Sequence, residues 1–142
     1  RDEIAVEHYV ALQRAAEEGD VAAIALLLDC GFDPNVGDAE IGKTALHAAS
    51  MAGRTDAVRL LLARGASPHI RDREFHGQPL VWAAEGSRSH GGRADEYAQV
   101  GRLLLDAGSP VEWEPGDEPA EGILEVLADW QRDRTVQPAS TT

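Results

Sequence analysis

Two groups of side chains in this sequence have the residue types that chemistry requires. His69, Asp72, Glu74 and His76 fall within residues 69–76, and two imidazoles with a carboxylate can hold a divalent metal. Ser87, His90 and Asp95 would supply the hydroxyl, base and acid of nucleophilic catalysis. The single Cys30 can form no intramolecular disulfide, which fits a reducing compartment.

Each group depends on what would hold it in place. Ser87, His90 and Asp95 sit in "EGSRSHGGRADE", a Gly-rich stretch that reads as a loop. A nucleophile and its base need rigid support, and a loop of this kind supplies none. The stretch "SPHIRDREFHGQ" around His69 is rich in turn formers and reads as a hairpin.

The elements around these stretches repeat. "GDVAAIALLLDCGFDPNVGD" (19–38) aligns with "GRTDAVRLLLARGASPHIRD" (53–72) at a constant offset of 34 residues. Gly19 matches Gly53, Ile24 matches Val58, Leu27 and Leu28 match Leu61 and Leu62, and Asp38 matches Asp72. A third copy carries "LLLDAG" 43 residues after "LLLARG", which places an insertion of nine residues between Ala84 and Tyr97. The alignment weakens the metal reading, because His69 stands where the first copy has Asn35.

Each copy reads as two helices. Thr44 is a good N-cap, and His47 can reach back to it. Val58, Leu61 and Leu62 form an i, i+3, i+4 stripe that Gly65 ends. Gly101 falls where that stripe carries Val58, so the third copy is expected to shift by one, onto Val100, Leu103 and Leu104. Ile123, Leu124, Leu127 and Trp130 recur at helical spacing after the break "PGDEPAEG". Neither helix pair can bury both its faces alone, so neighbours must stack into a solenoid.

The second copy, "GKTALHAASMAGRTDAVRLLLARGASPHIRD", resembles the ankyrin repeat, with Ala45 in place of the Pro of Thr-Pro-Leu-His. The first copy has Gln13 at the His position, and the third has Gln78 and Val81 for Thr and His. The resemblance covers roughly residues 7–115. It implies an all-α helix-turn-helix solenoid of three repeats with short hairpin turns and a C-terminal capping helix. The expected division is an N-terminal segment with repeat 1 (1–38), repeat 2 (39–72), and repeat 3 (73–115) with an inserted loop at 85–96. A capping helix (116–134) and a disordered tail (135–142) follow.

In ankyrin-like stacks the hairpin tips and the open face of the first helices line a concave groove that binds proteins. Carried across, this implies Ala39, Glu40, Ile41 and Lys43 in the first hairpin. In the second it implies Arg73, Glu74, Phe75, His76 and Gln78. On the helices it implies Arg14, Glu17, Glu18, Ser50, Met51, Trp82 and Glu85. Ile41, Met51, Phe75 and Trp82 would form an apolar strip rimmed by charge, the composition of a recognition surface. The alternative is that Phe75 and Trp82 fill space between repeats.

Composition sets limits on the partner. Apolar residues make up 43% of the chain and aromatic ones 5%, so Ala, Leu and Val build most of the core. The net charge of −12, with a pI near 4.7, disfavours nucleic acid and anionic membrane and favours a basic protein. The expected function is non-catalytic binding of a partner protein by a cytoplasmic monomer, with no cofactor and no metal. One alternative is an acidic neutraliser of a basic toxin or enzyme. Another, from a different class, is an enzyme with a metal site at the second hairpin.

Overall fold

The computed structural model describes residues 2–89, 94–111 and 121–136. Seven α-helices are present among them: α1 (Asp2–Glu18), α2 (Val21–Asp29), α3 (Ala45–Met51), α4 (Thr55–Ala63), α5 (Pro79–Ser89), α6 (Ala94–Asp106) and α7 (Glu121–Val136). They pair as α1/α2, α3/α4 and α5/α6. The first members stack as one layer, α1 on α3 on α5, and the second members as another, α2 on α4 on α6. The core between the layers is made of Leu12, Ile24, Leu46, Val58, Leu61, Leu80, Val100 and Leu104, each at most 2% exposed.

Local chemistry sets the helix boundaries. Thr44 Oγ1 accepts from His47 N, while His47 Nδ1 accepts from Thr44 N at 3.1 Å, a reciprocal cap on α3. Asp20 caps α2 by accepting from Ala23 N at 3.1 Å. Between α3 and α4 the chain reverses at Gly53, whose φ of +69° is strained for other residues.

The repeats are joined by hydrogen bonds that follow the period. His47 Nε2 donates to Gly77 O at 2.9 Å, reaching from repeat 2 to the hairpin of repeat 3. Gln13, at the equivalent position of the first copy, donates from Nε2 to Lys43 O at 2.6 Å. Lys43 and Gly77 are themselves 34 residues apart. The departure from His at Gln13 therefore keeps the bond that the His makes.

In the third repeat the stripe does not shift. Val100, Gly101 and Leu104 occupy the positions of Ala57, Val58 and Leu61, all buried, and Leu103 stays half-buried. The Val has moved from the second position to the first, so the pair loses only one methyl group and the helix keeps its register. Nor are residues 85–96 simply a loop. Residues 85–89 continue α5, which has 11 residues against 7 in α3. Residues 94–96 open α6, which has 13 against 9 in α4.

Tyr97 anchors the added turn of α6. It is 1% exposed and donates from its hydroxyl to Met51 O at 2.6 Å, satisfying a carbonyl at the end of α3. Gly86 allows the crossing, since a Cβ there would lie 2.0 Å from Met51 O.

α7 closes the C-terminal end against α6 and α5. Leu127 is buried, Val126 and Trp130 pack on the core, and Glu125, Asp129 and Gln131 face outward. Trp130 Nε1 donates to Asp106 Oδ1 at 3.0 Å, and Arg102 pairs with Asp133 at 2.6 Å. The helix starts at Glu121 and runs through residues 135 and 136, where the sequence suggests a tail. Residues 116–120 and 137–142 of the expected cap and tail lie outside the described residues.

Candidate functional site

The hairpins ahead of α3 and α5 are each organised by one aspartate. Asp38 Oδ1 accepts from Ile41 N at 2.8 Å and Gly42 N at 3.1 Å. Asp72, 1% exposed, accepts four bonds: Glu74 N (3.0 Å) and Phe75 N (2.6 Å) on Oδ2, and Gly77 N (2.9 Å) and Trp82 Nε1 (2.9 Å) on Oδ1. Burial alone would raise the Asp72 pKa. The hydrogen bonds, that from Phe75 N foremost, outweigh it and hold the carboxyl below its ordinary 3.8. Burial lowers the His47 pKa from 6.5, against the opposing pull of the Gly77 carbonyl and Asp72. The ring is thus kept neutral with Nε2 carrying the proton.

Trp82 joins these parts. Its ring lies edge-on to His47 at 5.3 Å between centroids and edge-on to Phe75 at 6.1 Å. Trp82 is 9% exposed and Phe75 is 55% exposed. Of the two aromatics placed together on the surface strip, one is a buried brace and the other is open. The indole N–H explains the burial, since the Asp72 carboxylate supplies its partner inside.

The two hairpins form a continuous rim. Arg73 N donates to Ile41 O at 2.6 Å, and Arg73 Nη2 donates to Ala39 O at 2.9 Å. The Arg73 guanidinium is thus engaged in linking the tips. Glu40 and His76 are exposed, and Ile41 and Lys43 are half-buried. His76 holds a left-handed φ of +55° where the first hairpin has Gly42. Met51 lies at the far end of α3, beside Tyr97, and is half-buried. Glu85 is exposed and pairs with Arg88 at 3.3 Å. Ser50 and Gln78 are buried, and Gln78 Nε2 donates to Pro110 O at 3.1 Å. The strip therefore breaks up: Phe75 meets Trp82, Ile41 joins through its carbonyl, and Met51 stands apart.

The metal grouping is not assembled: among the described residues no three His, Cys, Asp or Glu side chains are placed to hold a metal. Asp72 points inward with both oxygens already engaged by N–H donors, which takes it out of the set and leaves Glu74 as the carboxylate of that reading. Ser87 lies on α5 and Asp95 on α6, while His90 lies outside the described residues.

Comparison with known proteins agrees with this architecture. A family model of ankyrin repeats, in three copies, matches residues 12–109. Among solved structures, the chain is similar to the human ASB11 ankyrin repeat domain, at 21% identity and a TM-score of 0.65. That match covers 83% of this chain and 53% of the other, so the chain spans about half the length of that domain. A comparison with curated proteins found no match. No helix among the described residues is long and apolar enough to cross a membrane.

Proposed function

Because this chain belongs to the ankyrin repeat family, whose repeats are generally protein–protein interaction modules, we propose that it binds a partner protein without catalysis. The contact surface is the concave side, made of the rim formed by the two hairpins and the accessible positions of the helices behind it, Met51 on α3 and Glu85 on α5. One observation supports this most. Phe75 stands 55% exposed at a hairpin tip, on a buried Trp82 that is itself pinned by Asp72. A large aromatic held in place before binding loses little freedom on contact, which is how hot spots gain affinity.

Around Phe75, the contact includes Glu40, Ile41, Lys43 and His76 on the hairpins, and it extends along the helices to Met51 and Glu85, which stand apart from Phe75. Arg73 acts by holding the two tips in register. Trp82 acts beneath Phe75. The charge of −12 favours a basic partner and speeds encounter with it. A cytoplasmic setting agrees with the single, exposed Cys30.

The test is affinity capture on the immobilised chain, run in parallel with the parent, Phe75→Ala and Arg59→Ala. A protein retained by the parent and Arg59→Ala but lost with Phe75→Ala supports the groove. Equal retention by all three would contradict it.

A further inference from the structure

The two hairpin tips carry the same short unit twice. Shifted by 34 residues, Glu40, Ile41 and Gly42 become Glu74, Phe75 and His76. In each tip the middle residue is apolar and its N–H is held by the hairpin aspartate. Ile41 N donates to Asp38 at 2.8 Å, and Phe75 N donates to Asp72 at 2.6 Å. Arg73 N, bonded to Ile41 O, locks one tip to the next. The hairpins lead into α3 and α5, which stack directly, so the two units sit one repeat apart, about the 8–10 Å between packed helices.

Two observations give this unit a chemistry. First, its glutamates are left open. Glu40 and Glu74 are exposed, and among the described residues neither has an ion-pair partner. Asp56 pairs with Arg59, Glu85 with Arg88 and Asp129 with Arg132, each across three residues. Arg71 stands three residues before Glu74 but donates to His76 O at 2.9 Å, and Arg73 donates to Ala39 O at 2.9 Å. Second, His76 holds a φ of +55° where the first tip has Gly42 at +75°. Glycine takes that conformation at no steric cost, so folding alone favours it, and the exposed imidazole is kept against that preference. Residues held in such conformations cluster at ligand-binding and active sites.

We propose that the tips take an extended, basic segment of the partner protein. Its Lys or Arg side chains meet Glu40 and Glu74, its apolar ones rest on Ile41 and Phe75, and His76 adds a further contact. This rests on the concave side being the contact surface and names the chemistry that surface accepts. The tips are bonded edge to edge, Arg73 N to Ile41 O, so a helix about 10 Å wide has no room between them. A polyproline-II segment fits better. It rises about 3.1 Å per residue with three residues per turn, which brings every third side chain to one face about 9 Å further on. Basic residues three apart then reach both glutamates together.

A random linear-peptide library displayed on phage and selected on the intact chain tests this, with the selected peptides synthesised and measured by fluorescence anisotropy. The expected sequences carry Lys or Arg at every third position with apolar residues between. Glu40→Gln combined with Glu74→Gln weakens them about tenfold or more and flattens the salt dependence. Asp56→Asn combined with Glu125→Gln removes the same charge from α4 and α7 and leaves binding unchanged. His76→Gly weakens binding while the urea midpoint holds or rises, and parent-like binding there would strike the imidazole from the contact. Selected peptides without basic residues, with them at the heptad spacing of a helix, or no selected peptide at all would overturn the proposal. So would full binding by the Glu40 and Glu74 double variant. If Phe75→Ala abolishes binding in that last case, the concave reading stands without this one; peptides indifferent to Phe75→Ala as well would contradict both.

Discussion

The indole N–H of Trp82 donates to Asp72 Oδ1 across 2.9 Å, and this bond separates the two hairpin aromatics into a buried one and an open one. With Trp82 turned inward, its ring supports Phe75 from below and meets His47 from the side. The hairpin tip is thereby tied to the cap of α3 and to the first turns of α5.

Asp72→Ala should be among the most damaging single changes in the protein. It leaves three backbone N–H groups and the Trp82 indole without their acceptor, and each buried donor left unmade costs about 1–3 kcal/mol. Urea denaturation should show a midpoint well below that of Asp38→Ala, whose carboxylate serves two donors. Tryptophan emission should shift to the red as Trp82 loosens. Equal midpoints for the two variants would refute the role given to Asp72.

Acid should destabilise the fold in two stages. A histidine whose folded pKa lies below 6.5 binds fewer protons folded than unfolded. The stability contributed by keeping His47 neutral is thus complete above pH 6.5 and is lost as pH falls through the window beneath it. Asp72 likewise has a folded pKa below 3.8, so its contribution is present above that value and lost at lower pH. Urea midpoints measured against pH should fall first below 6.5 and again below 3.8. The first fall should be absent in His47→Gln, and its persistence there would count against His47 as the source.

Leu61→Ala should cost about 2–5 kcal/mol, because Leu61 is fully buried between the helix layers. Arg59→Ala, on the exposed side of α4, should move the urea midpoint little. The two variants shifting it equally would place the core elsewhere.

Ser50→Ala should be neutral or stabilising by up to about 1 kcal/mol. The Ser50 hydroxyl is buried and has no hydrogen-bond partner among the described residues, and the equivalent positions of the other repeats are Ala16 and Ala84. A loss of stability on this change would mean that the hydroxyl has a partner after all, such as a trapped water.

How much of this was legible in the sequence follows from what sequence patterns encode. Period, glycines and Leu pairs set the solenoid, because stacking imposes the same apolar positions on every repeat. The N-cap at Thr44 and the partner role of His47 were legible for the same reason. Trp82 was not. An aromatic at a position where repeats vary looks like surface until its N–H is seen to have an internal acceptor. Asp72 was read as a possible ligand because a carboxylate that gathers N–H donors and one that gathers a metal have the same spelling. Its match to Asp38, four residues ahead of a left-handed position in each hairpin, was the available signal. The insertion was hidden by its glycines, although Tyr97, Val100 and Leu104 already carried helical spacing into it.

Binding of a captured partner to the parent chain, Phe75→Ala and Arg88→Ala, measured by calorimetry, bears most directly on function. Loss of a central aromatic costs about 2 kcal/mol or more, whereas a charge at the edge mainly alters the on-rate. Phe75→Ala should weaken binding about tenfold or more with an unchanged melting temperature, and Arg88→Ala should bind as the parent does. Parent-like affinity in Phe75→Ala with binding lost in Arg88→Ala would move the site from the concave groove to the extended end of α5.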